Sequence, residues 1–399
     1  MLSAKEPLLS PVFSFLYMGF AILFFYIVMP ALVYSFGIGD EYFFQLSLIS
    51  FFSVVLIYIG FKTPVFDVLF LRRRSRIFIS VDLYIFIIWG VFLLYIFYVF
   101  YTAEYIPILS AITGSSDSEV SEQRGGFLKG RAGYESILIY IGTIFSSTLI
   151  PYSIIQMFYY RHKLRYFFAL LFFIYCISFM AKSLFLSLAL PMVVFLSITG
   201  RIGAKGVILF GLGSSIVIFI AIFLVSEKTG LSWGIADAMY FSSNYQPNGA
   251  LDYFIWRAFI VPVFTATDSL VVFYEYFDGD LFYGSTSSFL SLLTMTERIN
   301  FERYVFMHQF GSWNDTANSN AFFVVDAYVN FSVVGVLIYS FITGIILRSF
   351  RLSTDLAYSS LWLLFIFQLF SASLVGTLLS NGFLLILFIA IFFRVAIKK

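Results

Sequence analysis

The sequence predicts an all-α integral membrane protein of about ten transmembrane helices, and three observations carry that prediction. The 399 residues are 61% hydrophobic and only 12% charged, whereas about a quarter of the residues in a soluble globular chain carry charge. Apolar runs of transmembrane length recur from end to end. Lys and Arg collect in the segments that such runs would leave on one side. Inside hydrocarbon every backbone polar group must be satisfied within its own element, so the runs are helices. The alternation of an outer-membrane barrel strand is absent.

The first run, 12–34, is too long for a signal-peptide core and lacks a small-residue cleavage pattern, so it reads as a retained helix. Others follow at 42–61, 77–103, 134–158, 166–181, 183–200 and 206–226, and then at 321–346, 356–375 and 378–394. With the N-terminus in the cytoplasm, 16 of the 24 Lys and Arg fall inside, among them Arg72, Arg73, Arg74, Arg76, Arg348 and Arg351. Both termini are then cytoplasmic. Merging 166–181 with 183–200 would push Arg201 and Lys205 outside, so the two stay separate and turn at Lys182. The segment Tyr253–Phe273 is apolar but contains Arg257, Pro262 and Asp268. Counting it as a span would invert everything downstream, so it is expected to lie in the outer interface. No linker divides the chain. Residues 1–399 form one polytopic domain with two outer loops, 104–133 and 227–320.

Composition also narrows the chemistry. A net charge of +2 with no basic tail gives no sign of nucleic acid. The single Cys176 lies inside an apolar run, which excludes a disulfide framework and a Cys-based metal site. The loop carboxylates and histidines show no metal-ligand spacing, so no metal and no cofactor is expected.

Outer cations are few, and each has two readings. Arg124 and Arg131 bracket a glycine-rich stretch whose amides and guanidinium forks can gather on an anion; the plainer reading is a solvated hairpin. Lys182 either contacts substrate phosphate or snorkels to lipid. Arg257 is costly in an apolar helix unless paired. It falls on one helical face with Asp268 and Glu275, so an internal Arg257–Asp268 ion pair is the alternative to a role in binding. Arg298 and Arg303 either hold phosphate or pair with Glu297 and Glu302.

Two groups can move a proton. His308 titrates near neutral pH and can take a proton from an attacking hydroxyl. Asp326 is a carboxylate at the outer end of a helix, and Asn330, four residues on, faces the same way.

The run Thr316-Ala317-Asn318, continuing through Asp326-Ala327-Tyr328-Val329-Asn330-Phe331 to Gly335, resembles the end of the long extracytoplasmic loop of Wzy-type O-antigen polymerases. Ser332 stands where that family more often carries glycine. The match covers about twenty residues, with helix count and loop placement similar over the rest. The resemblance implies a GT-C-like glycosyltransferase at the periplasmic face of the bacterial inner membrane. Its substrates would be undecaprenyl-pyrophosphate-linked oligosaccharide repeat units, and a chain-length regulator would be a fitting partner.

A pyrophosphate leaving group builds up negative charge, which fixed guanidinium groups can stabilise. Arg124, Arg131, Arg257, Arg298, Arg303 and Lys182 are the candidates for that task. His308 and Asp326 are the candidate catalytic groups, with Asn318 and Asn330 at the acceptor. An O-antigen ligase and a lipid-linked oligosaccharide flippase are the alternatives.

Overall fold

The computed structural model describes residues 6–37, 39–71, 76–114, 123, 126–128, 130–131, 133–179, 182–214, 216, 251, 255–311 and 318–397. Arg124, Arg72–Arg74 and all of 227–250 lie outside them. For Lys182 and Arg257 the backbone is described and the side chain is not.

The chain is a mostly helical membrane protein. Among the described residues six helices are long and apolar enough to cross a bilayer. They are α1 (Pro11–Ser35), α2 (Glu41–Lys62), α3 (Val81–Tyr101), α4 (Gly133–Tyr159), α8 (Ala258–Phe277) and α11 (Phe323–Leu352). Shorter apolar helices are α5 (Arg165–Ser178), α6 (Lys182–Ile198), α7 (Ala204–Ser214), α12 (Leu356–Leu369) and α13 (Phe383–Phe392). Two short helices, α9 (Ser288–Thr294) and α10 (Phe301–Phe310), lie between α8 and α11.

The helix α8 was expected in the interface, and it has the length and apolarity of a span. Its contacts run across the N-terminal end of α2 instead of along it. Phe264 meets Phe43 at 5.4 Å, and Tyr274, ten residues on, meets Tyr42 at 5.5 Å.

A second departure concerns the ends of two expected helices. Residues 77–80 and 393–396 form strands, β1 (Ile77–Ser80) and β2 (Phe393–Ala396), paired in parallel. Apolarity alone does not distinguish a helical turn from a short strand. Each strand supplies the other with backbone partners across the whole length of the chain.

Prolines leave a recurrent mark. Widened π turns occur at Leu23–Val28, Phe145–Leu149 and Trp256–Ile260, and Pro30, Pro151 and Pro262 each lie just beyond. Proline removes an amide donor and crowds the carbonyl four residues back; the wider turn absorbs that clash without ending the helix. Pro262 therefore does not break the helix that carries Arg257.

The bundle centres on α2 and α11, which run side by side in the same direction. A Cβ on Gly60 would collide with the Phe341 carbonyl oxygen, and one on Gly344 with that of Ile57. Ser340 donates to Ser53 at 2.8 Å between them. In a membrane, where the hydrophobic effect does not drive helices together, such close backbone packing and an interhelical hydrogen bond hold the pair. At the far end Arg348 forks Asp67 at 2.7 and 2.6 Å and donates to the carbonyls of Phe61 and Lys62, closing the C-terminus of α2. Arg348 holds the Asp67 carboxyl below the usual carboxylate range.

The N-terminal segment is fixed by late residues. Trp362 Nε1 donates to the Leu9 carbonyl at 3.2 Å. Tyr26 stacks on Phe322 with ring centroids 3.8 Å apart.

Candidate functional site

The site is built around a break in α11. Phe331 (φ −140°, ψ 19°) and Ser332 (φ 55°, ψ −153°) leave helical geometry and divide the element into residues 323–330 and 333–352. At 1.5 Å per residue the second part reaches about 30 Å and the first only about 12 Å. Ser332 occupies a region that glycine alone enters without strain, which accounts for the expectation of glycine there. Gly335 makes the sharp turn possible, because a Cβ would meet the Ala327 carbonyl oxygen.

The break frees carbonyls at the end of the first part, and the loop before α9 fills them. The amide of Phe282 donates to the Val329 carbonyl at 3.1 Å and that of Tyr283 to Asn330 at 3.0 Å. The Gly284 amide donates to Asn330 Oδ1 at 2.9 Å. Asn330 Nδ2 donates to Thr286 Oγ1 at 2.8 Å, and Thr286 Oγ1 donates to Asp326 Oδ1 at 3.0 Å. Asp326 and Asn330 thus face the same way, as their spacing predicted, and together they hold the loop 282–286. Asp326 is 8% exposed. Its Oδ2 accepts no hydrogen bond among the described residues.

The helix α10 covers this unit. Glu302 is close enough to Asp326 for the two charges to interact, and its carbonyl accepts the Ser319 amide at 3.1 Å. Burial pushes the Glu302 carboxyl up, while its own amide and the Arg298 and Arg303 guanidinium groups draw it down. Gln309 ties three segments together. Its Nε2 donates to Asp268 Oδ2 at 2.6 Å and to Thr265 Oγ1 at 3.2 Å, and its Oε1 accepts from Ser319 at 2.8 Å.

His308 is half-buried and stands edge-on to the Tyr276 ring at 5.9 Å. Burial lowers its imidazole from the ordinary range, and Glu275 pulls it partly back. It stays neutral, and able to accept a proton, at pH values where an ordinary histidine is charged.

Beneath, a polar node joins three helices. Gln45 donates to the Tyr274 and Tyr328 hydroxyls at 2.9 and 2.8 Å, and those hydroxyls lie 2.8 Å apart. Beside the loop opens a cavity of about 380 Å³, lined by Asp278, Asp280, Tyr283, Ser285 and Thr296 among others. Tyr283 is 59% exposed and, like Asp278, has left-handed backbone (φ 49° and 52°). A bulky residue in that region is a strained one.

The remaining candidates fall elsewhere. Arg131 closes the C-terminus of α3, donating to the Val99 carbonyl at 3.0 Å, to Thr102 at 2.7 Å and to Glu135 at 3.1 Å. Its fork is thus engaged by the protein itself. Arg298 and Asn318 are exposed and Arg303 is half-buried, the arginines flanking Glu302 on the α10 side. Asp268 is fully buried, whereas Glu275 is exposed. The helices α4 and α9 meet where the Tyr140 and Ser288 hydroxyls lie 3.1 Å apart. Sequence reasoning missed Thr286, Gln309, Ser319 and Gln45, which are common polar residues with no local pattern. Among the described residues no three His, Cys, Asp or Glu side chains gather as metal ligands.

Comparison of the chain with protein-family models, with curated proteins and with solved structures finds no match. The functional reading therefore rests on the residues themselves and on the resemblance around Asp326.

Proposed function

We propose that the protein is a membrane glycosyltransferase that polymerises undecaprenyl-pyrophosphate-linked oligosaccharide repeat units at the periplasmic face of the bacterial inner membrane. The observation that supports this reading is the Asp326–Thr286–Asn330 unit on a broken helix, in the segment whose sequence resembles the polymerases. In the proposed reaction an acceptor hydroxyl attacks the anomeric carbon of the donor glycan. A new C–O bond forms there, and the bond to the carrier pyrophosphate breaks.

His308, kept neutral by burial, or Asp326 through its remaining oxygen, receives the hydroxyl proton. Arg298 and Arg303, with Arg257, offset the charge that develops on the departing pyrophosphate. The cavity beside Tyr283 offers a ring and two carboxylates to a sugar. A chain-length regulator would act on the same product.

The break in α11 favours a second reading, because discontinuous helices are common in transporters. A flippase would use the break to carry the lipid-linked glycan across. Purified protein incubated with lipid-linked repeat units separates these readings. A ladder of longer lipid-linked chains is the expected result. Transfer only to lipid A core would instead indicate a ligase, and translocation without new bonds a flippase.

A further inference from the structure

Away from the Asp326 unit lies a second polar cavity, of about 280 Å³, where β1, β2, the end of α4 and the start of α12 come together. Its walls include Arg76, Gln156, Tyr160, Asp355 and Arg394. The parallel pairing of Phe78 with Arg394 brings β2 alongside β1, and Arg76, the residue before β1, lines the same cavity as Arg394.

The carboxylate in the wall is already engaged. Asp355 accepts from the Tyr152 hydroxyl, from Gln156 Nε2 at 3.0 Å, and from the amides of Ala357 and Tyr358 at 2.9 and 3.3 Å. Gln156 also donates to Tyr152, so the network closes on itself. Arg76 is held in place by its bond to the Phe70 carbonyl at 3.2 Å and by the Phe70 ring at 5.7 Å. Arg394 is exposed and makes no ion pair among the described residues.

The cavity is therefore lined by two guanidinium groups, Arg76 held against Phe70 and Arg394 exposed, with its one carboxylate engaged from within. Arg161, Lys163 and Arg165 follow Tyr160 in the chain, so cations are frequent beyond this end of α4. Guanidinium groups fit phosphate oxygens in fork geometry, and basic pockets between helices at such a face suit anionic headgroups.

We infer that the cavity between Arg76 and Arg394 binds a phosphate group, supplied by an anionic lipid headgroup or by a soluble phosphate ligand. The site is independent of the proposed polymerase reaction.

The test uses full-length protein in nanodiscs of equal phosphatidylglycerol and phosphatidylcholine, with bound lipid counted by native mass spectrometry. A parallel measurement follows the melting temperature with inorganic phosphate against chloride at equal ionic strength. Preferential retention of phosphatidylglycerol, weakened roughly tenfold in Arg394→Ala and only partly restored in Arg394→Lys, supports a lipid source. Saturable stabilisation by inorganic phosphate alone, lost in Arg394→Ala, supports a soluble one. Arg394 is exposed, so its replacement leaves the fold intact, and an unchanged melting temperature without ligand checks this. Equal retention of both lipids with no phosphate response, or the same binding in Arg394→Ala, overturns the inference.

Discussion

Asn330 clamps Gly284: its Oδ1 accepts the glycine amide at 2.9 Å while its Nδ2 reaches Thr286 at 2.8 Å. One side chain therefore fixes the loop 282–286 to the broken helix and presents Asp326 at the junction. The clamp is buried, so each of its polar atoms depends on the others.

Asn330→Ala should strand the Gly284 amide and the Thr286 hydroxyl. An unsatisfied buried group costs about 1–3 kcal/mol, and thermal unfolding of the detergent-solubilised protein should show a clear drop. A melting temperature equal to that of the parent would mean the clamp is not formed.

Ser332→Gly should act in the opposite direction. The residue holds φ 55° and ψ −153°, and relief of such strain is worth about 1 kcal/mol, offset in part by the freer unfolded chain. The variant should be at least as stable as the parent; a lower melting temperature would argue against the break at this residue.

Gly344→Ala should force α2 and α11 apart, because the added methyl meets the Ile57 carbonyl. Overpacking of this kind costs about 1–3 kcal/mol. Cysteines placed at positions 53 and 340 report the separation directly, and crosslinking as efficient as in the glycine parent would refute the close contact.

Arg131→Ala distinguishes capping from substrate binding. With its fork on Val99, Thr102 and Glu135, loss of the side chain should lower stability by about 1 kcal/mol and leave KM near the parent value. A raised KM at unchanged stability would restore the pyrophosphate role.

The acidic limb of activity should follow His308. Burial depresses its pKa below the ordinary 6.5, so the base form persists as pH falls through that value and activity declines only at lower pH. His308→Ala should abolish polymer growth by the folded protein. Full activity, or a decline centred at or above pH 6.5, would remove His308 as the base.

The apolar runs were legible because hydropathy is local, and the facing of Asp326 and Asn330 was legible because it needs only helical periodicity. What those side chains hold was not. Thr286 lies 44 residues before Asn330, and nothing around it marks it as a partner. The same holds for Arg131, whose target carbonyl at Val99 is 32 residues away, so its charge pointed to an anion when its use is a helix end. The strands β1 and β2 escaped notice because four-residue, mostly apolar stretches at the ends of apolar runs read equally well as helical turns. The break at Ser332 left one trace, the departure from glycine, which became meaningful only with the backbone angles in view.

The seam between α2 and α11 also bears on how the chain is made. Ser53 and Ser340 are 287 residues apart, an interval that takes on the order of tens of seconds to synthesise. Until then α2 sits in lipid with Gly60 facing no partner and Asp67 awaiting Arg348. Leu9 likewise waits for Trp362, and β1 for β2. Assembly must therefore finish late and all at once, and chains interrupted before residue 340 should be recognised and degraded by membrane proteases as orphaned bundles.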